Sequence, residues 1–544
     1  MLAAIRSAAV LGIDACQITV EVDVAAGLPA WMMVGLPAGS VKEARERVMS
    51  ALKNSGFEMP PRRVTVNLAP ADLPKSGTAY DLPIALGVLV ATGQLRAHAV
   101  ATLTAIGELG LDGSIRPVRG VLSVARATSR GQPGGLLVVP VANVAEAQLV
   151  GDARVVAWPT LAGLVDALRA GGLAPLDGAA LAATASDADG GDDLADVVGQ
   201  RAAKRALEIA AAGDHALLLQ GPPGAGKTML ARRLPGILPP LTEAEALEVI
   251  AIHSVAGLLT PERLASPRRP FRAPHHTTSV AGLIGGGGHP RPGEVSLAHG
   301  GVLFFDELLE TPRYVLDALR QPMEDRCVTI ARAAQAVSFP ARFTLVGATN
   351  PCPCGRAGEP GDGCRCSAAD IERYRGRLSG PLIDRIDLHV TVGRVRVEDL
   401  GRDATDATDA AGGPGTARRP SRGSQARGEH SADVRARVVA ARERQRERYA
   451  SLPGLVTNGA VPARWLERHG QVDPAARALL LGAAERLRLS ARGYHRVLRV
   501  ARTIADLDGD PSVGDSAMAE ALRYRPIEPS HVRSPVVPEA GGAT

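Results

Sequence analysis

The fold of this chain is decided by residues 215–234, which read His-Ala-Leu-Leu-Leu-Gln-Gly-Pro-Pro-Gly-Ala-Gly-Lys-Thr-Met-Leu-Ala-Arg-Arg-Leu. An apolar strand runs into a glycine-rich turn, and a helical pattern follows. The turn has the GxxxxGK[ST] pattern, in which glycines let backbone N–H groups point at phosphate oxygens. It consists of Gly221, Pro222, Pro223, Gly224, Ala225, Gly226, Lys227 and Thr228. A glycine-rich surface turn is the alternative, but the strand-to-helix context favours an ATP-binding loop. In such a loop Lys227 reaches the β- and γ-phosphates, and Thr228 offers its hydroxyl to Mg²⁺.

A second apolar strand further along the chain ends in two carboxylates. Residues 300–307 read Gly-Gly-Val-Leu-Phe-Phe-Asp-Glu. We expect Asp306 to hold the hydration shell of Mg²⁺ and Glu307 to orient and deprotonate the attacking water. Acids at the end of an apolar strand are common by chance, but a phosphate-binding loop upstream favours a hydrolytic site. A third apolar strand, 343–350, ends in the side-chain amide of Asn350.

Composition limits the class of protein. A length of 544 residues predicts about two to four domains, and 45% hydrophobic with only 3% aromatic residues predicts aliphatic cores. A net charge of +5 is compatible with a polyanionic partner but does not require one. Six cysteines, four of them within 352–366, do not resemble a secreted disulfide framework. The longest apolar run, 82–92, is too short to span a bilayer. We therefore expect a cytoplasmic protein without a membrane partner.

Residues 1–170 have the pattern of an α+β domain. Alternation predicts strands at 17–24 and 63–67, and helical spacing predicts helices at 41–55 and 79–92. The domain resembles the C-terminal domain of Lon-type proteases in Pro-Lys-Ser-Gly-Thr-Ala at 74–79. A second match lies in Gly-Glu-Leu at 107–109 and Arg-Pro-Val-Arg-Gly at 116–120.

The Lon-like domain lacks the catalytic pair of those proteases. By the resemblance, the nucleophilic serine falls on Ala79 and the lysine on Leu122. A Ser-Lys dyad requires both the hydroxyl and the amine. Ser76 and Lys75 lie nearby, but adjacent loop residues have no obvious way to form a nucleophile–base pair. We expect a non-proteolytic accessory domain.

Changes in composition divide the remaining chain. Asp and Gly residues predict a flexible linker at 171–196, and an ATPase core with a four-cysteine loop follows at 197–400. A Gly-, Ser- and Arg-rich insert at 401–431 is predicted to be disordered. Residues 432–525 are expected to form helices, and 526–544 a flexible tail.

The sequence between the phosphate-binding loop and the acidic strand identifies a family. Phe-Arg-Ala-Pro-His-His-Thr-Thr-Ser at 271–279, Leu-Ile-Gly-Gly-Gly at 283–287 and Pro-Gly-Glu-Val-Ser-Leu-Ala-His at 292–299 lead into 300–307. This arrangement resembles the magnesium-chelatase-like branch of the AAA+ ATPases. The Lon-like domain and Cys-Pro-Cys-Gly after Asn350 narrow the resemblance to the ComM or YifB type.

This resemblance implies the architecture and the remaining site residues. The chain is expected to be α/β, with a Lon-protease-like α+β domain, a P-loop AAA+ doubly wound core and a C-terminal helical lid. Asn350 would lie between two strands and help to place the water. Arg385, in Ser-Gly-Pro-Leu-Ile-Asp-Arg-Ile-Asp at 379–387, would enter the site of the neighbouring subunit of a homohexamer. Arg492 would contact the γ-phosphate, with Arg496 and Arg499 as alternatives for that role.

Four cysteines form a candidate Zn²⁺ site. Cys352, Cys354, Cys364 and Cys366 offer four thiolates in a Gly/Pro-rich loop. The CxC spacing is less typical than CxxC, so four reduced thiols or a labile redox pair are alternatives. We interpret His253, His275 and His276 as structural or channel-facing residues, because acids and cysteines do not cluster with them in the sequence.

Three classes of function fit these expectations. The first is a ring-shaped DNA motor, a branch-migration helicase of the ComM type acting on single-stranded or branched DNA in recombination or natural transformation. The second is a metal-insertion ATPase like magnesium chelatase, and the third is a protein-remodelling ATPase. Six arginines at 435–448 could contact DNA, but Glu443 and Glu447 make a solvated charged helix equally plausible. The glycine-containing loop 275–288 is the better candidate for gripping a strand.

Overall fold

The computed structural model describes residues 1–59, 61–176, 192–288, 290–332, 335–358, 363–394 and 428–525. The tail predicted at 526–544 lies outside the described residues, as do 177–191 of the predicted linker and 401–427 of the predicted insert. Two layered α/β units and a helical unit make up the rest. The predicted fold class is therefore confirmed.

The N-terminal unit contains a seven-stranded mixed sheet. In sheet order its strands are Ala30–Val34, Arg63–Ala69, Asp14–Ala25, Leu2–Leu11, Leu103–Ala105, Leu136–Val139 and Arg154–Ala157. The two long strands form an antiparallel hairpin in which Leu2 pairs with Asp23 and Leu11 with Asp14. Alternate residues of Asp14–Ala25 are buried, as the period of two in its sequence predicts.

Helices cover this sheet, and the predicted helices at 41–55 and 79–92 are among them. The helices are Gly39–Lys42, Ala44–Asn54, Asp81–Ala91, Val121–Gly131, Val144–Ala147 and Leu161–Ala170. Every residue of Asp81–Ala91 is buried, because this helix packs against the long hairpin on one side and Ala44–Asn54 on the other. Short 3₁₀ helices occupy Ala97–Val100 and Val141–Asn143, and Glu108–Leu109 pairs with Ile115–Arg116.

The ATPase core contains a five-stranded parallel sheet. In sheet order its strands are Phe271–Arg272, Val302–Phe305, Thr344–Thr349, Leu217–Gln220 and Leu388–Thr391. Parallel strands deliver their carboxyl ends to one edge, so Gln220, Phe305 and Thr349 lead into three loops that meet there. This arrangement is what assembles the site.

The core helices and hairpins complete the layers. The helices are Arg201–Gly213, Lys227–Ile237, Glu243–Ala256, Pro261–Ala265, Val280–Ile284, Glu294–Leu297, Arg313–Asp317, Arg320–Asp325, Ala368–Arg375 and Gly380–Ile383, with a 3₁₀ turn at Leu308–Glu310. Gly285–Gly286 pairs with Arg291–Pro292, and Cys327–Arg332 with Gln335–Pro340. Glu243–Ala256 begins with a capping box of Thr242 and Glu245 and ends at Gly257, whose φ is 74°.

The C-terminal unit is helical, as predicted. Its helices are Ser431–Tyr449, Ala463–His469, Pro474–Arg486, Ala491–Asp508 and Asp515–Arg523, with a 3₁₀ turn at Asn458–Ala460. Ser431–Tyr449 and Ala491–Asp508 pack on the core helix Arg201–Gly213. Apolar residues of this unit and of the ATPase sheet form one continuous buried cluster.

The end of the predicted linker belongs to the ATPase core in the structure. Residues Leu194–Asp196 form a capped 3₁₀ turn, and Leu194 is buried. The N–H of Leu194 donates to Ser431 Oγ at 2.8 Å, and Asp193 accepts from the N–H of Ser431 at 2.9 Å. Residues 192–196 and the start of the helical unit therefore anchor each other.

The Lon-like unit contacts the ATPase core through the position that a catalytic lysine would occupy. Leu122 is fully buried against Ile250 and Ala251 of the core. The N–H of Gly120 donates to Ser254 Oγ at 2.8 Å, and Ser254 donates in turn to Glu146. This surface is therefore an internal contact. Within the described ranges, no helix is both long and apolar enough to cross a bilayer.

Candidate functional site

The phosphate-binding loop surrounds a cavity of about 410 Å³. Gly224 and Gly226 have φ of 78° and 86°, the left-handed region that glycine adopts without strain. Gly221 is required for a different reason, because a Cβ there would lie 2.1 Å from the carbonyl oxygen of Val392. The cavity is lined by Pro223, Gly224, Ala225, Gly226, Lys227, Thr228, Met229, Asp306, Glu307, Ala348, Thr349 and Asn350.

Lys227 is held by oxygen atoms on two sides of this cavity. Its ammonium donates to the carbonyl oxygens of Gly221 at 2.6 Å and Pro222 at 2.9 Å, and to Asn350 Oδ1 at 3.1 Å. Burial lowers the pKa of Lys227, and the charges of Asp306 and Glu307 oppose that shift. A triphosphate would supply the counter-charge that these neutral oxygens do not.

The acidic strand places its carboxylates where Mg²⁺ is needed. Thr228 Oγ1 donates to Asp306 Oδ2 at 2.8 Å, so the hydroxyl and the carboxylate are close enough to share one cation. Glu307 has a φ of 50°, and left-handed backbone in a residue other than glycine costs on the order of 1 kcal/mol. That turn brings Glu307 into the lining of the cavity. The donor set fits ATP with Mg²⁺.

The predicted arginines line a second cavity, of about 370 Å³. Arg385, Arg492, Arg496 and Arg499 lie there together, and the lining contains no residue of the phosphate-binding loop. We call it the arginine cavity. We call the cavity around the phosphate-binding loop the cradle, and Arg492 does not line the cradle of its own subunit.

Among the residues that the structure describes, three buried nitrogen atoms around the arginine cavity make no hydrogen bond, namely Arg385 Nε, Arg496 NH1 and Arg499 Nε. Arg496 NH1 does lie 3.5 Å from Asp387 Oδ1. Arg385 also donates to Glu324 and, at 2.7 Å, to the carbonyl oxygen of Pro381. Burial lowers the pKa of Arg496 to about 10, which Asp387 partly opposes. Buried guanidinium groups with spare donors favour an anionic ligand.

Sequence reasoning missed two residues, Asp387, which also lines the arginine cavity, and its partner His215. Asp387 follows Arg385 closely, and its Oδ2 lies 3.1 Å from Nδ1 of the fully buried His215. His215 lies two residues before the strand Leu217–Gln220, which leads into the phosphate-binding loop. A polar residue at the start of a buried strand was the available signal, but its partner could not be identified from spacing.

The four cysteines come together as predicted. Their Sγ atoms all lie within 4.8 Å of one another. The distances are 3.3 Å for Cys352–Cys354, 3.8 Å for Cys352–Cys364 and 3.6 Å for Cys354–Cys364. A tetrahedral Zn²⁺ with Zn–S bonds of about 2.3 Å requires sulfur atoms about 3.8 Å apart. The donor set therefore fits zinc.

The cysteine loop also touches the phosphate-binding loop. Gly355 has a φ of 77°, and a Cβ there would lie 2.6 Å from Cδ of Pro223. Its N–H donates to the carbonyl oxygen of Cys352 at 2.9 Å. The short segment 350–355 thus connects the cysteine cluster, through Cys352, to the cradle, which Asn350 and Gly355 contact.

The histidines and the basic helix have structural partners. His253 is buried and its Nδ1 lies 2.9 Å from the carbonyl oxygen of Val249. The rings of His275 and His276 are in contact at a tilt of 34°, with centroids 4.0 Å apart, in the partly exposed segment 275–288. Most arginines of the helix Ser431–Tyr449 bind inside the protein: Arg437 to Glu208, Arg442 to the carbonyl oxygen of Ala211, Arg444 to that of Asp506, and Arg448 to the Asp506 carboxylate.

Comparison with known proteins agrees with this geometry. Family models described as "Subunit ChlI of Mg-chelatase", "Magnesium chelatase, subunit ChlI" and "Magnesium chelatase, subunit ChlI C-terminal" match residues 20–143, 193–400 and 428–525. The chain is 43% identical to competence protein ComM of Haemophilus influenzae over 527 residues, covering 96% of this chain and 97% of ComM. It is 42% identical to the uncharacterized protein YifB of Salmonella typhimurium over 532 residues, 97% of each chain.

The chain belongs to the ComM/YifB family of magnesium-chelatase-like AAA+ ATPases. A shorter similarity, 29% identity over 187 residues, relates it to Lon protease 2 of Bacillus subtilis and covers 29% of this chain and 32% of that protease. The resemblance stated from the sequence is thereby confirmed. Membership of this family suggests ATP and Mg²⁺ as ligands of the chain.

Proposed function

We propose that this ATPase is a ring-shaped motor, a homohexamer that moves DNA and drives branch migration during recombination. The observation that carries the proposal is the separation of the two cavities. The cradle contains Lys227, the pair Thr228 and Asp306 that would share Mg²⁺, and the base Glu307. The arginine cavity is lined by different residues. A γ-phosphate in the cradle therefore needs a guanidinium from another subunit.

The mechanism follows from what each residue touches. The backbone N–H groups of residues 224–228 and the Lys227 ammonium would bind the phosphates, and Thr228 and Asp306 would hold Mg²⁺, which would neutralise developing charge. Glu307 takes the proton of the attacking water, and Asn350 holds that water in line. Arg385 and Arg492 of the neighbouring subunit stabilise the charge on the transferred phosphoryl group.

The part that grips DNA is proposed to be the loop 275–288. This segment is partly exposed, includes the short helix Val280–Ile284 and the strand Gly285–Gly286, and contains five glycines, Gly282, Gly285, Gly286, Gly287 and Gly288. The helix Ser431–Tyr449 is a poorer candidate, because its arginines Arg437, Arg442, Arg444 and Arg448 already bind acids or carbonyl groups inside the protein. The name of the competence protein ComM supports a role with DNA.

The cysteine cluster is proposed to bind one structural Zn²⁺. Four thiolates close a tetrahedral site without an open position, which suits a structural rather than a catalytic metal. The ion would hold the loop that joins Asn350 to Gly355.

Metal insertion is the second candidate function, since all three matching family models are described by the magnesium chelatase subunit ChlI. The 43% identity to competence protein ComM over 97% of that protein favours the motor over metal insertion.

Synthetic DNA tests the choice. ATP turnover is measured with single-stranded, duplex and four-way-junction DNA at several salt concentrations, and junction resolution is followed on gels. The motor predicts stimulated turnover, salt-sensitive binding and ATP-dependent resolution of the junction. Glu307→Gln is the matched control, which should bind DNA without resolving it. If DNA left ATP turnover unchanged and the junctions stayed intact, a metal-insertion or protein-remodelling function would be favoured.

A further inference from the structure

We propose that His215 and Asp387 are positioning residues that hold the arginine cavity in the geometry required by the triphosphate of the neighbouring subunit. The proposal rests on the proposed function, because it assumes that Arg385 acts between subunits. Neither residue lines the cradle. We therefore expect these residues to affect ATP hydrolysis in the cradle of the neighbouring subunit and not in the cradle of their own subunit.

Asp387 connects the segment of Arg385 to the lid. Its Oδ2 accepts a hydrogen bond from His215 Nδ1 at 3.1 Å, and its Oδ1 lies 3.5 Å from NH1 of Arg496. Its backbone N–H donates to the carbonyl oxygen of Ala216 at 3.0 Å. Main chain and side chain therefore fix the segment to the strand Leu217–Gln220 and to the helix Ala491–Asp508.

His215 is built into this junction. The ring is fully buried, and its Nε2 lies 2.8 Å from Thr503 Oγ1 of the lid helix. A Cβ at Gly213 would lie 2.2 Å from Nε2, so glycine makes room for the ring. Thr503 also accepts from Asn458 at 3.0 Å, and Asn458 donates to Asp506 at 2.8 Å. One imidazole thus joins the strand, the Arg385 segment and the lid.

The charges explain why the arrangement needs both residues. Burial would raise the pKa of Asp387, but the hydrogen bond from His215 and the charges of His215, Arg496 and Arg525 lower it to about 2. The ionised carboxylate has no proton to donate, so Nδ1 of His215 must donate to it. Without His215 the carboxylate loses its hydrogen-bond donor, and Asp387 keeps only the longer contact with Arg496, at 3.5 Å, as its side-chain contact with the lid.

Mixed rings separate a role in the neighbouring site from a role in the fold. His215→Ala subunits are mixed with Arg385→Ala subunits, which have intact cradles but need an arginine donor. They are also mixed with Lys227→Ala subunits, which have intact arginines but cannot bind ATP tightly. A displacement of about 1 Å costs about 10²-fold in rate, so the first mixture should turn over ATP up to about a hundredfold more slowly than the second.

Controls make every outcome decisive. Arg385→Ala mixed with Lys227→Ala must be active; if it is not, the arginines do not act between subunits and the proposed function fails instead. His253→Ala removes another buried imidazole, and in both mixtures it should give the same ATP turnover as wild-type subunits give there. His215→Asn keeps an N–H donor for Asp387 and should restore part of the rate. Equal activity of His215→Ala in both mixtures, whether high or low, would overturn the positioning role.

Discussion

The ammonium of Lys227 lies 3.1 Å from Oδ1 of Asn350 and donates a hydrogen bond to it. The amide of Asn350, which follows the strand Thr344–Thr349, thus contacts the lysine that begins the helix Lys227–Ile237. Removal of the amide should leave the carbonyl contacts of Lys227 intact. We therefore expect Asn350→Ala to bind ATP with near-normal affinity and to hydrolyse it about 10²-fold more slowly.

Nucleotide affinity and steady-state turnover of Asn350→Ala check this expectation. Asn350→Asp is the matched variant, because it keeps an oxygen beside Lys227 but loses the N–H donors. If Asn350→Ala lost affinity as severely as Lys227→Ala, the amide would serve binding rather than the placement of water.

Glu307 is predicted to act as the base. Glu307→Gln has nearly the same shape and lines the same cavity, but it cannot accept the proton of the attacking water. ATP binding should persist while hydrolysis stops, whereas Lys227→Ala should abolish tight binding. Equilibrium binding and phosphate release distinguish the two, and unchanged turnover in Glu307→Gln would rule out this assignment.

Arg492 should act from the neighbouring subunit, like Arg385, because both line the arginine cavity. Arg492→Ala subunits have an intact cradle and Lys227→Ala subunits have an intact Arg492, so mixed rings should regain part of the activity that each variant lacks alone. ATPase titrations of one variant into the other measure this. Absence of rescue for Arg492→Ala, with rescue for Arg385→Ala, would return Arg492 to its own cradle.

The sequence predicted those parts of the site that lie along one strand and its loop. Residues 221–228 and 306–307 are local motifs, and parallel strands bring the strand ends to one edge. The position of Arg492 depends instead on which face of the core the lid covers. Asp387 lies 172 residues from His215, and Thr503 lies 288 residues from it, so no spacing could reveal their contact.

The same limit applies to the boundaries of the fold. Local composition assigned residues 192–196 to a linker, yet Leu194 bonds to Ser431 across 237 residues. A short polar segment has no sequence period that shows tertiary packing. The strand at 17–24 was predicted correctly, because alternate burial in one sheet imposes a period of two.

Gly355 is expected to control the shape of the phosphate-binding loop. Gly355→Ala places a methyl group 2.6 Å from Pro223, which must move, so the KM for ATP should rise several-fold. Gly358→Ala is the matched control, since Gly358 also has a positive φ, 86°, but a Cβ there would meet none of the described residues within 4 Å. Similar KM values for the two variants would mean that backbone strain, not contact with Pro223, causes the effect.

Zinc content provides the last prediction. One four-ligand site predicts about one Zn²⁺ per chain in the purified protein. Cys352→Ser and Cys364→Ser should each lose most of it, because three thiolates hold the ion far less tightly than four. Cys16→Ser is the control, since Cys16 is a free cysteine in the N-terminal hairpin, outside the cluster.

The consequence of zinc loss separates a structural ion from an adventitious one. Without the ion, the loop that joins Asn350 to Gly355 loses its cross-link, so Asn350 should hold water less well and ATP turnover should fall. Metal analysis and turnover are therefore measured on the same preparations, before and after treatment with a chelator. Equal zinc in wild type, Cys352→Ser, Cys364→Ser and Cys16→Ser would mean that the cysteine cluster is not the binding site. Loss of zinc with full turnover would mean that the ion does not support Asn350.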